Sequence, residues 1–194
     1  MRGVREGDDP YHETLHAVYQ VRSGRIPVHL RETGVEEEGE MKIRRVWAMP
    51  NKRTFQIQPI SDIIQKYECA WLDPFTYPYT VDAMDYLSGF ETDTQEGVLF
   101  DPPYSPRQLK ECYDDIGMSL TDTKSSVWSQ WRDEIARVIK PGGTCLSFGW
   151  NTVGLGKTRG FKLIEILLVC HGGMHNDTIV TVERKVYSQK RLVE

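Results

Sequence analysis

"GVLFDPPYSPRQLKECYDDIG" occupies residues 97–117, and the order of its residue types decides how the chain around it is read. Val98, Leu99 and Phe100 form a short apolar run of the kind that makes a buried strand. The run breaks at Asp101, Pro102, Pro103 and Tyr104. Two prolines in a row fix φ and lack donors, so the segment is rigid, continues neither sheet nor helix, and leaves carbonyls free to accept hydrogen bonds. Ser105 and Pro106 then open a helix over 105–117, with proline in the first turn, where it is tolerated. The reading is therefore strand, rigid acceptor-only turn, helix.

Working outward, the same alternation recurs from residue 54 onward. "PISDIIQKYE" (59–68) suits a short helix with Ser61 as its cap and Ile60, Ile63 and Ile64 as its apolar side. "CAWLDPF" (69–75) is a short apolar run ending in an acid, and "DAMDYLSGF" (82–90) reads as one or two helical turns closed by Gly89. "SSVWSQWRDEIARVIKPGG" (125–143) places Val127, Trp128, Trp131, Ile135, Val138 and Ile139 on one helical face, with Pro141, Gly142 and Gly143 as its stop. "TCLSFGW" (144–150), "FKLIEILLVC" (161–170) and "TIVTVERKV" (178–186) are strands. Strands alternating with helices predict an α/β fold, an open sheet with helices on both faces. Ligands of such sheets bind outside the carboxyl ends of the strands, which puts Asp101 at the rim of the crevice. A carboxylate beside a free carbonyl matches a group with two N–H donors, and an adjacent aromatic face matches something flat.

Composition limits the alternatives. The 194 residues, 39% hydrophobic and 27% charged, suit one compact domain with a real core. No apolar run approaches the roughly 18 residues of a membrane span, and "MRGVREGDDPYHE" lacks the apolar segment of a secretory signal. The expectation is an intracellular, cytoplasmic protein. Cys69, Cys112, Cys145 and Cys170 form no CxxC pair, which favours reduced thiols over a disulfide framework or a zinc site. Residues 1–40 hold five Arg against nine acids, while 41–194 hold 19 basic and 19 acidic residues, so the net charge of −4 resides entirely in the first forty. We read 1–40 as an acidic leader and 41–194 as the working domain, with Met41 as an alternative start. "MKIRRVWAMPNKRTF" (41–55) is basic without an acid, and its Lys52 and Arg53 are candidates for phosphate contact.

Three further strings resemble motifs. "HETLH" (12–16) matches a zinc-protease pattern, but Tyr11, Leu15, Val18 and Tyr19 make it an ordinary packing helix. "NTVGLGKT" (151–158) has Asn151 where a phosphate-binding loop needs its first glycine, and it leads into a strand rather than a helix. It reads as a glycine-rich connection near the rim, with Lys157 and Arg159 able to touch phosphates. "HGGMHND" (171–177) reads as a hairpin loop with hydrogen-bonding side chains rather than a metal site. Trp128 and Trp131, at helical spacing beside isoleucines, read as core.

On these residues the chain resembles the amino-group DNA methyltransferases, which methylate adenine N6 or cytosine N4 with S-adenosylmethionine. "DPPY" (101–104) resembles their catalytic motif. "MPNKRTFQIQPI", "WLDPF", "VDAMDYL", "VIKPGGTCLSFGWN" and "ILLVCHGGMHNDTIVTVERK" look, in order, like the small adenine-specific methylases of phage and prokaryotic genomes, over roughly residues 49–185. The resemblance implies a Rossmann-like methyltransferase sheet, mostly parallel with an antiparallel last strand. It implies DNA as partner, S-adenosylmethionine as cofactor and no metal. Asp101, Pro102, Pro103 and Tyr104 would stand at the reacting base, and Asp73, Phe75 and Asp82 would hold the methyl donor.

One departure matters. Relatives continue from DPF through a turn, a helix and a second strand, whereas here "TYPYT" (76–80) joins DPF almost directly to "VDA". Five residues cannot hold a helix and a strand. The sheet is then short of one strand and one helix, and two readings stay open: a remodelled donor pocket, or an inactive relative that keeps the fold and a DNA surface. DPPY does not separate adenine from cytosine. No segment is long enough for a separate target-recognition domain.

Overall fold

The computed structural model of the chain describes residues 40–76, 81–115, 126–173 and 175–186. Residues 1–39, which hold the HETLH string and all but the last residue of the segment expected to be a leader, lie outside the described residues.

Six strands make one sheet: β1 (Lys42–Trp47), β2 (Trp71–Leu72), β3 (Gln95–Phe100), β4 (Ile139–Gly149), β5 (Phe161–Cys170) and β6 (Thr178–Lys185). Their spatial order is β1-β5-β6-β4-β3-β2. β2, β3 and β4 run parallel, β1 runs parallel to β5, and the last strand, β6, lies antiparallel between β4 and β5. This is the mixed α/β sheet expected from the sequence. It ends at β2, and among the described residues no further strand pairs with that edge.

Among the described residues, four α-helices cover the two faces. α1 (Gln58–Lys66) lies on one, while α2 (Ala83–Ser88), α3 (Pro106–Asp115) and α4 (Ser126–Val138) lie on the other. Strand β3 shows how the alternation works: Val98 and Phe100 face the α2–α4 side, and Leu99 faces the α1 side with Leu146, Leu167 and Val180. Period-2 alternation of apolar residues on both faces is what a central strand requires. Gly97 lets β2 press against β3, since a β-carbon there would sit 2.7 Å from the Trp71 ring.

Two element ends differ from the expectation. Ser61 does not cap α1: the helix starts at Gln58, with Ile57 as the N-cap residue and Pro59 in the first turn. Likewise, Pro141-Gly142-Gly143 does not stop α4, which ends at Val138 and passes directly into β4. Tertiary partners close that helix instead. Asp93 N–H donates to the Arg137 carbonyl and Thr94 N–H to that of Val138, both at 2.9 Å. The Lys185 ammonium, its side chain 1% exposed, reaches the Ala136 and Ile139 carbonyls at 2.6 Å each and Asp93 Oδ1 at 2.7 Å. A cation is the natural partner for a helix C-terminus. The two glycines serve the start of β4: Gly142 has φ +81°, and a β-carbon on Gly143 would meet the Glu96 carbonyl at 2.8 Å.

Candidate active site

Strand β3 ends at Phe100, and the acceptor-rich turn begins at its carboxyl end. Pro102 and Pro103 are buried, while Asp101 and Tyr104 are partly exposed. Three interactions fix the turn. The Tyr104 hydroxyl donates to Asp101 Oδ1, the Tyr104 N–H donates to Gln108 Oε1 at 2.9 Å, and Trp128 Nε1 donates to the Pro103 carbonyl at 3.0 Å. Ser105 Oγ accepts from the Gln108 N–H at 3.2 Å and so starts α3. A second hydroxyl, that of Thr54, also donates to Asp101. Burial raises the Asp101 pKa, and the two hydroxyls pull the other way by favouring the ionised form. The result is a half-buried, oriented carboxylate at the sheet rim.

Asp73 follows β2, the neighbouring strand. Burial pushes its pKa up to about 6, the charge of Asp101 adds to the rise, and the Phe75 N–H at 3.0 Å opposes it. Two half-buried carboxylates thus lie close to each other, and no basic side chain is paired with either among the described residues. That arrangement fits a cationic ligand group. The other two donor-site candidates are already engaged. Phe75 is buried against Phe100 and Trp131, with ring centroids 5.7 and 4.9 Å away. Asp82 caps α2, its Oδ1 accepting from Met84 N–H at 2.7 Å and Asp85 N–H at 3.2 Å, while its Oδ2 accepts from the Tyr113 hydroxyl.

Two hollows border the DPPY turn. The larger, about 300 Å³, is lined by Asn51, Thr54, Tyr104, Gln108, Trp150 and His175 among others. The smaller, about 90 Å³, is lined by Phe100, Pro102, Tyr104, Trp128, Arg132 and Trp150 among others. Tyr104 and Trp150, with ring centroids 5.5 Å apart, belong to both and stand between them. On the far side of the larger hollow, His171 is locked into the β5–β6 hairpin. Its ring nitrogens meet the Ala48 carbonyl and Thr178 Oγ1, each at 2.9 Å. This is the hydrogen-bonding hairpin the sequence suggested.

The expected DNA-contacting cations divide into two groups. Lys52 and Arg53 are exposed on the segment after β1 that also supplies Asn51 and Thr54 to the larger hollow. Lys157 and Arg159 lie on a short 3-10 turn between β4 and β5. There Arg159 is held inward by Asp133 at 2.7 Å, Ser129 Oγ at 2.9 Å and the Leu155 carbonyl at 3.2 Å. The glycine-rich loop before it is filled by the protein's own carboxylate: Glu183 accepts from Leu155 N–H at 2.6 Å and Gly156 N–H at 2.9 Å. Gly154, at φ +53°, leaves room for that carboxylate.

Several participants were not legible in the sequence. Trp128 packs half-buried against Trp131 and the core, as helical spacing indicated, and in addition braces the turn through its indole N–H, a role the spacing did not show. Thr54 and Arg132 reach the site from elements distant in sequence, and Gln108, four residues after Tyr104 on α3, has no local pattern to mark it. Trp150 had a signal, since it follows the carboxyl end of β4, where a crevice residue belongs.

No protein-family model and no curated protein matches the chain. Among solved structures, the chain is similar to a provisionally named DNA modification methylase of Thermus thermophilus. That match has 14% identity and a TM-score of 0.36, over 55% of this chain and 53% of the other. It is also similar to the protein PH0851, at 14% identity and a TM-score of 0.36, over 75% of this chain and 42% of that one. The matched regions thus span about half the length of these proteins or less.

Proposed function

We propose that the protein is an S-adenosylmethionine-dependent DNA methyltransferase acting on the exocyclic amine of a base, adenine N6 before cytosine N4. The observation that carries this reading is the Asp101 carboxylate. It is half-buried, oriented by the Tyr104 and Thr54 hydroxyls, and set at the carboxyl end of a central parallel strand on a doubly rigid proline turn.

The lone pair of an exocyclic amine is delocalised into its ring, so the amine is a poor nucleophile. Asp101 and the Pro102 carbonyl supply two acceptors for its two N–H groups, localise the lone pair, and stabilise the positive charge that develops on nitrogen. Their rigidity means that little reorganisation is needed as the charge develops. When bound, S-adenosylmethionine supplies an electrophilic methyl group on a sulfonium. Asp73 beside Asp101 offers negative charge where such a cation would be held. The Asp101 carboxylate, its pKa raised by burial, is the group placed to take the amine proton. A base inside a duplex is out of reach and must be swung out of the stack. The larger hollow, about 300 Å³, is twice the roughly 150 Å³ cavity that admits benzene, and Tyr104 and Trp150 give it aromatic walls on which a base can stack.

The engagement of Phe75 and Asp82 supports a second reading, a relative that has lost the methyl donor and keeps a base-binding or DNA-binding surface. Calorimetric titration with S-adenosylmethionine and with its demethylated product separates the two, alongside transfer of labelled methyl to DNA and nucleoside analysis of the product. The expected result is saturable donor binding and methyl on adenine N6, with transfer abolished in Asp101→Ala while the circular dichroism spectrum is kept. Folded protein that binds neither ligand in the presence of DNA would overturn the enzyme.

A further inference from the structure

The smaller hollow has a chemistry that transfer to a base does not use. We infer that it is a phosphate-binding subsite built around Arg132, which holds a backbone phosphate of the nucleic-acid strand whose base enters the larger hollow. The strand as the source of that phosphate rests on the reading given above; the anion chemistry does not.

Arg132 lies on α4 and lines the hollow, and its Nε is buried with no hydrogen-bond partner among the described residues. A buried donor left unsatisfied is costly, so its presence calls for an acceptor. The acids nearest in charge to Arg132 are committed elsewhere. Glu183 serves the Leu155 and Gly156 N–H groups, and Asp133 pairs with Arg159. Arg159 itself adds positive charge nearby, and together with burial it lowers the Arg132 pKa. Among the described residues, no carboxylate lines the hollow. Ser147 contributes a hydroxyl there, and Asn151, whose Oδ1 already accepts from Val153 N–H at 3.0 Å, has its NH₂ to offer. The Phe100 ring, 5.8 Å from the guanidinium carbon, further supports the cation.

Size narrows the ligand. At about 90 Å³ the hollow is smaller than the roughly 150 Å³ cavity that admits a benzene ring. A tetrahedral oxyanion matches that space and a base does not. A planar guanidinium is the side chain suited to two oxygens of one phosphate. Since Tyr104 and Trp150 wall both hollows, a nucleotide can straddle the pair, with its base on one side and its phosphate on the other.

The test uses the full chain and a fluorescent single-stranded adenine-containing oligonucleotide, titrated at several salt concentrations, with inorganic phosphate as the second probe. Arg132→Gln is expected to weaken oligonucleotide binding about tenfold and to make the slope of log affinity against log salt shallower by about 0.7, the value for one single-strand phosphate contact. Arg132→Lys keeps the charge and stem, so it should retain the slope while losing affinity, and it serves as the readout should Arg132→Gln fail to fold. Phosphate should raise the melting temperature of the wild type and not of Arg132→Gln. Equal affinity and slope in the wild type and Arg132→Gln would overturn the site. Phosphate stabilisation that depends on Arg132, with no oligonucleotide binding, would overturn the strand as source and point to free phosphate. An Arg132-dependent slope in a protein that transfers no methyl would keep the subsite and sink the enzyme. Normal transfer with an unchanged slope would do the reverse.

Discussion

Replacing Lys185 with methionine isolates the contribution of one buried cation to this fold. The aliphatic stem is kept, so packing changes little; the ammonium and its three hydrogen bonds are removed. Each hydrogen bond involving a charged group contributes about 1.5–3 kcal/mol, and breaking a buried ion pair from one side costs about 3–5 kcal/mol. Asp93 is 26% exposed and water can reach it, whereas the two carbonyls at the end of α4 lose a buried donor. The cost is therefore about 3 kcal/mol, a large share of the 5–15 kcal/mol typical of a domain. With a urea slope of about 2 kcal/mol/M, the midpoint should fall by roughly 1.5 M at unchanged slope. The control is Arg107→Met. It removes a pair whose side chains are 88% and 58% exposed, and it should move the midpoint by no more than about 0.3 M. A Lys185→Met midpoint within that same 0.3 M would refute the argument that Lys185 closes α4.

Two further outcomes concern acids and pH. Burial alone would raise the Glu165 pKa, but hydrogen bonds from Lys66, Tyr67 and Arg44 bring it down to about 2. A depressed folded value means the stabilisation is complete above about pH 4.3 and is lost as pH falls toward 2. Glu165→Gln should therefore cost on the order of 2 kcal/mol at pH 6, discounted because Arg44 and Lys66 are half exposed, and much less at pH 2.5; urea midpoints that differ equally at both would contradict this. Asp73 has the opposite sign. Its folded pKa of about 6 lies above the unfolded value of about 3.9, so its penalty grows as pH rises from about 4 to 6 and stays above that. Asp73→Asn should gain on the order of 2 kcal/mol at pH 7.5 and little at pH 4, read as the difference in melting temperature at each pH; an equal gain at both would show that Asp73 is not held as a destabilised carboxylate.

Local sequence determined the elements and the turn that joins strand to site. Val98-Leu99-Phe100 had to be buried, two prolines had to end the strand, and the apolar stripe through Val127, Trp131 and Ile135 had to face a sheet; each follows from side chains within a few residues of one another. What only the tertiary structure decided is where the charges went. Residue type alone would read Glu165, Glu183 and Lys185 as solvent-facing, yet all three are buried. β5 and β6 lie inside the sheet, and partners 28, 46 and 99 residues away neutralise these groups or satisfy their hydrogen bonds. The same holds for the site. Asp101 was legible because a rigid turn at a strand end is a local signal, whereas Thr54, Trp128, Trp150 and Arg132 converge on it from elements far apart in the chain. The energy of a buried charge depends on what surrounds it in space, and a pattern read along the chain carries no record of those distances.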